Sequence, residues 1–483
     1  MDLSSPLFLF LFLPVFLLIY LVSAGKARTG ILLLASVIFL AWGDASAILW
    51  LGGILVSGYW MGLAIAKAQE TGQSAAKWLW AGLGVNVILL AFFKYLTAFG
   101  QEGLLWLNTP ETWVDDLSGL TVPIGLSYVT FQLIAYLVDV WKGNTPAEKN
   151  FVSFSAYLLF FPKLVSGPIT RYKPFAVQME QLNPSMDDVA AGFRRLLSGF
   201  IKRTVIANQL ALMANAVFNQ PTANVEPKFA WLGLAAYTLQ IFFDFSGYTD
   251  MALGLGLMIG IRLPENFNFP YIAQSVSDFW RRWHITLSTW FREYVFYPLE
   301  RKRFKWMGQQ VNILIVFLLT GLWHGFNPTF MVWGMIHGIA LAVESLGFGR
   351  WLKGAWRPLQ HLYTLTIVVI GWVFFRSQDL NFAFEFFRRL AGDRSNLMPL
   401  PFSQTTPMPF IEPSFIMALI AGTLFSFPLT SLWRQLRERF ESRQSNSYLL
   451  FQVMEDAALL LFFILGLGLQ LSGSFLPNLY AKF

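Results

Sequence analysis

Long apolar runs follow one another along almost the whole chain, and short polar or basic stretches separate them. Runs such as PLFLFLFLPVFLLIYLVSAG, close to the N-terminus, are as long and apolar as a helix that crosses a bilayer, for which about 20 residues suffice. The pattern predicts about eleven transmembrane helices, together with two or three shorter segments that are re-entrant or interfacial. The predicted fold class is therefore an all-α polytopic membrane protein.

The predicted helices form one integral-membrane domain over residues 1–483, with no internal repeat and no separate soluble domain. Its motif-rich core covers about 120–347, and C-terminal helices follow over 360–472. The helix predicted at 31–42 is too short to span the bilayer unless it joins a neighbour. The full set of predicted helices is 6–22, 31–42, 45–66, 79–98, 120–141, 151–166, 190–218, 228–258, 309–324, 328–347, 360–376, 411–430 and 449–472.

The connecting segments differ in charge and so predict a topology. Residues 99–118 contain four acidic residues and no Lys or Arg, which is typical of the non-cytoplasmic side. The basic stretches fit the cytoplasmic side, and 392–410, rich in Pro and Ser, is predicted to be a loop. Lys26 and Arg28 follow the first apolar run, so we expect that helix to be retained with a periplasmic N-terminus. The basic stretches are 171–189, 262–308, 350–357 and 432–447.

Composition agrees with this class, because 55% of the 483 residues are hydrophobic and only 13% are charged. The net charge of +7 indicates cytoplasmic loops in a bilayer and not a nucleic-acid partner. The absence of cysteine excludes disulfides and thiolate metal ligands, and no metal site is predicted. No Walker A, HExxH or GxSxG sequence is present, which leaves ATP-driven transport and serine hydrolysis without their usual motifs.

The first candidate for chemistry is His324, in the stretch TGLWHGFNPTF. No charged residue occurs from Trp306 to Val343, a length of about 57 Å as one helix, which exceeds the bilayer core. Pro328 and the glycines on both sides of His324 predict that GFNP breaks this run into two segments. A histidine at that depth indicates function, and a neutral imidazole there is suited to act as a general base.

The second candidate is the basic and aromatic segment DFWRRWHITLSTWFREYVFYPLERKRFK, residues 278–305. Its apolar positions follow helical spacing, which predicts one amphipathic interfacial helix. That helix either lies among anionic headgroups or uses its basic residues to bind the phosphates of an acyl-CoA donor. His284 and Ser288 are four residues apart, so we expect them on one face and within hydrogen-bonding reach. The three basic residues assigned to donor phosphates are Arg281, Arg282 and Arg292.

Other polar residues in apolar surroundings have less specific contexts. His337 is equally consistent with packing and with a supporting role, and His361 is predicted to be structural. Asp244 and Asp250 are six residues apart and so not on one helical face; each is expected to pair with a basic or polar group on another helix. The GLGLMIG run is predicted to pack helices closely. Further candidates for a supporting role are Asp278, Ser288 and Asn327.

Four long motifs occur in a fixed order across the middle half of the chain. They are FPKLVSGPITRY (161–172), DFSGYTDMALGLGLMIGIRLPENFNFPY (244–271), DFWRRWHITLSTWFREYVFYPL (278–299) and TGLWHGFNPTFMVWGMIHG (320–338). With these motifs the chain resembles the membrane-bound O-acyltransferase (MBOAT) family. It is most similar to the AlgI-like branch of alginate O-acetylation proteins, which is related to the D-alanyl-lipoteichoic-acid protein DltB.

The resemblance implies a ring of transmembrane, re-entrant and interfacial helices around a central funnel. It implies that His324 is catalytic and that His284, the polar residue of the WHITLS motif, orients or stabilises the developing oxyanion. Thr286 replaces a serine of the family motif, and FNPTF differs from the commoner ANWTF-like continuation.

The resemblance also implies the donor and the partners. The expected donor substrate is acetyl-CoA, taken from the cytoplasm, with no permanently bound cofactor. Acetyl would cross the inner membrane to an SGNH-type (AlgJ/AlgX-like) partner and the polysaccharide export machinery. Alginate is the foremost acceptor, with cellulose and peptidoglycan as alternatives.

Three other functions remain open at this point. The buried histidines and aspartates of a proton-coupled transporter could relay protons without any acyl transfer. A glycosyltransferase that uses lipid-linked sugars would leave the histidines unexplained. Within the family, the acyl group could be D-alanyl, or the acceptor a protein or lipid.

Overall fold

The structure is a computed structural model that describes residues 1–96, 122–302, 308–398, 411–429, 435 and 446–474. In these ranges every regular element is a helix, which confirms the all-α prediction. The predicted acidic loop 99–118 lies outside the described residues, as do 399–410 and most of 432–447.

The helices fall into two compact units. The first unit contains residues 1–196 and 251–265. Its helices are α1 (Phe8–Val22), α2 (Lys26–Gly43), α3 (Ala45–Glu70), α4 (Ala76–Tyr95), α5 (Leu126–Trp141), α6 (Phe151–Leu158), α7 (Phe161–Leu164), α8 (Tyr172–Met179) and most of α9 (Met186–Ile201).

The second unit contains residues 197–250 and those from 266 onward that the structure describes. Its helices are α10 (Asn208–Phe218), most of α11 (Pro227–Ile259), α12 (Val276–Arg282), α13 (Ile285–Phe291), α14 (Tyr297–Arg301), α15 (Gln309–His324), α16 (Pro328–Val343), α17 (Gly349–Gly354), α18 (Arg357–Arg376), α19 (Leu380–Leu390), α20 (Pro413–Phe425) and α21 (Asn446–Leu469).

Several of these helices have the length and hydropathy of membrane spans. Within the described residues, six are long and apolar enough to cross a bilayer: Lys26–Gly43, Ala45–Glu70, Ala76–Tyr95, Pro328–Gly354, Arg357–Arg376 and Leu449–Ser472. Four shorter helices are apolar as well: Phe8–Val22, Leu126–Trp141, Gln309–His324 and Pro413–Phe425. Since α2 begins at Lys26 and not at residue 31, it reaches about 27 Å and is long enough to span.

In the first unit, small residues bring α3 and α4 close to the almost fully buried α5. A Cβ atom on Gly58 would lie 2.6 Å from the Leu133 side chain, and one on Gly62 would lie 2.8 Å from the ring of Tyr136. Gly82 of α4 approaches Leu137 in the same way, at 2.8 Å. Close backbone approach of this kind is how helices pack where both neighbours are apolar.

The glycine run GLGLMIG also packs as predicted. A Cβ atom on Gly254 would lie 2.5 Å from the backbone oxygen of Gly192, so α11 and α9 touch through their main chains. The predicted helix at 151–166 is instead divided between α6 and α7, because Pro162 starts a new helical turn after Phe160.

The aspartates of α11 are paired with basic residues, as predicted. Arg203 donates to Asp244 at 3.1 Å, and both side chains are almost fully buried. Lys202 donates to Asp250 at 2.5 Å in a more exposed pair. A buried carboxylate is tolerated in such a place because a hydrogen-bonded counter-charge replaces its water.

Candidate active site

The break between α15 and α16 lies immediately after His324, where the sequence predicts it. Asn327 caps α16, since its Oδ1 accepts a hydrogen bond from the backbone N–H of Thr329 at 3.0 Å. Its Nδ2 donates to the carbonyl of Gln378 at 2.6 Å, and Pro328 occupies the first turn of α16. Asn327 therefore holds the break in place with both ends of its amide.

Glycines let the two helices on either side of the break pack backbone to backbone. A Cβ atom on Gly321 would lie 2.4 Å from the carbonyl oxygen of Phe330, and one on Gly334 would lie 2.4 Å from that of Phe317. This tight hairpin fixes the position of His324 at the end of α15.

His324 is 6% exposed and lies in an aromatic niche. Its ring centroid is 4.9 Å from that of Phe375 and 5.1 Å from that of Trp333, both in edge-on geometry. Phe330 closes another side at 6.0 Å. The break thus places an imidazole in a buried, largely aromatic niche at the end of α15.

The segment 278–305 is not the single amphipathic helix that its spacing predicts. α12 ends at Arg282, His284 adopts a left-handed conformation with φ of 43°, and α13 starts at Ile285. A non-glycine residue with positive φ is strained, and such strain is often found at functional positions. The apolar residues that follow helical spacing therefore belong to two short helices, one on either side of this break, and not to one continuous helix.

Asn266 holds the break at His284 from a distant part of the sequence. Its backbone oxygen accepts from the N–H of Ile285 at 3.0 Å. Its side-chain Oδ1 accepts from the backbone N–H of Thr286 at 3.1 Å and from the Thr286 hydroxyl at 3.0 Å. The same Oδ1 lies 3.1 Å from Nδ1 of His284.

His284 is 1% exposed, and Phe245 packs edge-on against its ring at 4.8 Å. Burial lowers the pKa of His284 to about 3, so the ring is neutral at physiological pH. Ser288, expected to hydrogen-bond to His284, instead donates to the carbonyl of Trp283 at 3.5 Å. That expectation is wrong because the left-handed turn at His284 removes the ring from the helical register of α13.

His337 lies in the interior of α16 and is fully buried. Trp280 Nε1 donates to its Nδ1 at 3.3 Å, and a Cβ atom on Gly371 would lie 2.9 Å from its Nε2. The Trp333 ring contacts both His337, at 5.4 Å, and His324. His337 thus packs in the aromatic wall behind His324, which fits the supporting role considered for it. His361, predicted to be structural, lies with Nδ1 3.1 Å from the carbonyl of Ala273.

A partly open cavity of about 210 Å³ lies between α12, α13, α15 and α16. Most of its wall is apolar and aromatic, including Trp280, Phe291 and Phe317. Thr320 also lines it and lies one helical turn before His324 on α15. The cavity therefore extends to within about 6 Å of His324 along the helix axis.

The structure separates the three arginines assigned to donor phosphates. Arg281 and Arg292 both line the cavity and are exposed. Arg282 instead donates to Asp278 at 3.0 Å and contacts the carbonyl of Asn268 at 3.3 Å. Asp278 is thereby engaged in the first turns of α12, and the cavity wall does not include it. Ser288 lines the cavity, beside Arg292.

Two residues that position the site were not singled out in the sequence. Asn266 lies in PENFNFPY, and a buried amide among aromatic residues signals a need for a polar partner. Glu344 accepts from the backbone N–H groups of Val276, at 2.7 Å, and Ser277, at 3.0 Å, and so caps α12 from the end of α16. No local motif predicts the second contact, because its partners are far apart in sequence.

Comparison with known proteins identifies the family. The sequence model described as "MBOAT, membrane-bound O-acyltransferase family" matches residues 145–375. A protein of Pseudomonas aeruginosa named "Probable alginate O-acetylase AlgI" is 42% identical over 81% of this chain and 75% of its own length. The chain belongs to the membrane-bound O-acyltransferase family. The MBOAT match includes His284, His324, His337 and the cavity, and it identifies the protein as an acyltransferase.

Other MBOAT relatives carry names with different acceptors. A Helicobacter pylori protein named "Peptidoglycan O-acetyltransferase" is 35% identical over 80% of this chain and 79% of its own length. A Bacillus subtilis protein named "Teichoic acid D-alanyltransferase" is 31% identical over 52% of this chain and 66% of its own length. The names shared by the more similar relatives support O-acetyl transfer to a polysaccharide.

Proposed function

We propose that this MBOAT protein takes acetyl from cytoplasmic acetyl-CoA and passes it across the inner membrane for O-acetylation of an exported polysaccharide, with alginate the foremost acceptor. The observation that carries the proposal is the buried His324 at a helix break, one turn from a cavity with two exposed arginines. The names of the relatives support acetyl as the acyl group.

In the proposed reaction His324 acts as the general base. Its unprotonated ring nitrogen removes the proton of an acceptor hydroxyl, and the hydroxyl oxygen forms a bond to the thioester carbonyl carbon. The tetrahedral intermediate then collapses, the carbon–sulfur bond breaks, and the imidazolium returns the proton to the departing CoA thiolate. The products are an acetyl ester and CoA, and His324 is neutral again.

The cavity between α12 and α15 is the proposed entrance of the donor. Its apolar walls suit the pantetheine arm and acetyl group, and Arg281 and Arg292 suit the phosphates of CoA. Arg282 has no part in this proposal, since Asp278 already pairs with it.

The position of the protein in the cell follows from the same proposal. We place it in the bacterial inner membrane with a periplasmic N-terminus, because Lys26 and Arg28 follow the first apolar helix. An SGNH-type (AlgJ/AlgX-like) protein on the periplasmic side would receive the acetyl group and place it on the polysaccharide during export.

Purified protein in lipid nanodiscs tests the donor, because transfer or hydrolysis of acetyl-CoA releases CoA thiol. We expect the Arg281→Gln/Arg292→Gln double variant to raise the KM for acetyl-CoA by about 10-fold, since each ion pair between an exposed arginine and a phosphate is worth up to about 1 kcal/mol. Arg282→Gln is the matched control and should leave the KM unchanged. Solute uptake into proteoliposomes without any CoA release would instead favour a proton-coupled transporter.

A further inference from the structure

The hydrogen-bond donors around Asn266 determine which nitrogen of His284 carries the proton. A backbone N–H can only donate, so the Asn266 side-chain atom that faces the N–H of Thr286 must be the oxygen. This assignment leaves no ambiguity between Oδ1 and Nδ2 of the amide. The same oxygen faces Nδ1 of His284 at 3.1 Å.

An amide oxygen has no proton to give, so the hydrogen bond with His284 requires that Nδ1 is the donor. The neutral ring has one N–H, and therefore Nε2 bears the lone pair. A ring in this tautomer accepts a proton or hydrogen bond through Nε2 and cannot donate one there. It is therefore unsuited to stabilise an oxyanion, the role that the family resemblance implies.

We infer that Asn266 is a positioning residue that fixes His284 in its Nδ1–H tautomer, so that Nε2 faces the reaction as an acceptor. The inference rests on the proposed function in one respect only, namely that His284 takes part in acyl transfer. Asn266 is fully buried, and its two carbonyl oxygens accept from the two backbone N–H groups directly after the strained residue, while Oδ1 also faces the ring. It thus sets the tautomer and the ring position together.

His337 provides an internal reference, because its Nδ1 accepts a hydrogen bond where Nδ1 of His284 donates one. An indole N–H can only donate, so the bond from Trp280 requires the lone pair of His337 on Nδ1 and its proton on Nε2. Two fully buried histidines of one protein are therefore predicted to be different tautomers.

The direct test is ¹⁵N NMR of protein labelled at its histidines in lipid nanodiscs, without substrate. The His284 signals are assigned by their loss in His284→Phe. We expect a directly bonded hydrogen on Nδ1 of His284 and on Nε2 of His337. A directly bonded hydrogen on Nε2 of His284 overturns the inference.

Two substitutions of Asn266 extend the test. Asn266→Asp keeps an acceptor oxygen and should keep the Nδ1–H tautomer, whereas Asn266→Leu is similar in size and should lose it. The new carboxylate should also raise the pKa of His284, which moves the acidic limb of the pH–activity profile to higher pH. A folded Asn266→Leu protein with the wild-type tautomer contradicts the inference. If that variant does not fold, the wild-type and Asn266→Asp spectra decide.

Activity separates this inference from the proposed function. Asn266→Leu should reduce kcat by on the order of 10²-fold, and Asn266→Asp should restore part of that loss. If the protein shows the predicted tautomers but releases no CoA under any condition, the proposed function is wrong and the tautomer assignment is still correct.

Discussion

His284 and His337 are buried to a similar extent, but they differ in backbone conformation and in their hydrogen-bond partners. Both rings are almost fully buried and make a hydrogen bond through Nδ1. His284 lies at a strained turn between two short helices and donates to Asn266, whereas His337 lies inside the long helix α16 and accepts from Trp280. Whether the neighbour of Nδ1 accepts or donates a hydrogen bond, and not how deeply the histidine is buried, thus determines which ring nitrogen carries the lone pair.

The comparison also separates a reacting position from a packing position. The Nε2 of His337 faces the backbone of Gly371, where no substrate fits, since a Cβ atom there would be only 2.9 Å away. His284 instead lies three and four positions before Leu287 and Ser288, which line the cavity. We therefore propose that His284 and His324 take part in acyl transfer and that His337 supports the aromatic wall.

The same substitution at both positions should give very different activities. We expect His284→Phe to lower kcat by on the order of 10²-fold, because it removes a positioned acceptor. His337→Phe should stay within about 10-fold of wild type, because it alters packing and one hydrogen bond of the aromatic wall but removes no group proposed to act in the reaction. The measurement is CoA release by matched amounts of folded protein, and a larger loss for His337→Phe would reverse the assignment.

The stabilities of these two variants should show the opposite order. After His337→Phe the N–H of Trp280 has lost its acceptor, at a cost of about 1–3 kcal/mol. After His284→Phe, Oδ1 of Asn266 still accepts from the backbone and hydroxyl of Thr286. We therefore expect His337→Phe to have the lower thermal midpoint in nanodiscs; equal or reversed midpoints would contradict the hydrogen-bond account.

His284 should also contribute a pH dependence of stability, an effect that is close to zero at neutral pH and appears only on acidification. Burial holds the pKa of folded His284 at about 3, below the value of about 6.5 in an unfolded chain. The unfolded state therefore binds more protons between these values, and stability falls as pH falls from about 6.5 toward 3, by up to about 1.4 kcal/mol per pH unit. Unfolding free energies at several pH values should show a shallower slope in His284→Phe; an unchanged slope would contradict the depressed pKa.

The sequence contained enough to predict the helix break beside His324. The break after GLWHG follows from Gly321, Gly325 and Pro328, because the conformational limits of these residues are local. The pairing of Asp244 and Asp250 with basic groups was predictable on electrostatic grounds, because a buried carboxylate requires a counter-charge.

The geometry around His284 could not be predicted in the same way. Helical spacing placed Ser288 beside it, but a left-handed residue interrupts the helix, and Asn266, which stabilises that turn, is 18 positions away. The separation of Arg282 from Arg281 and Arg292 depends in part on its contact with the carbonyl of Asn268, 14 positions away, in addition to its local pair with Asp278. Such contacts between distant residues arise only from the packed fold.

Polysaccharide acetylation in cells tests the central claim most directly. A bacterial strain without its own copy of the gene would carry wild-type protein, His324→Ala or the control His361→Ala, each at equal membrane levels. The ester-linked acetyl of the purified polysaccharide is then measured. The account predicts no acetyl above background with His324→Ala and nearly wild-type acetylation with His361→Ala. Acetylation by His324→Ala at the wild-type level would contradict it.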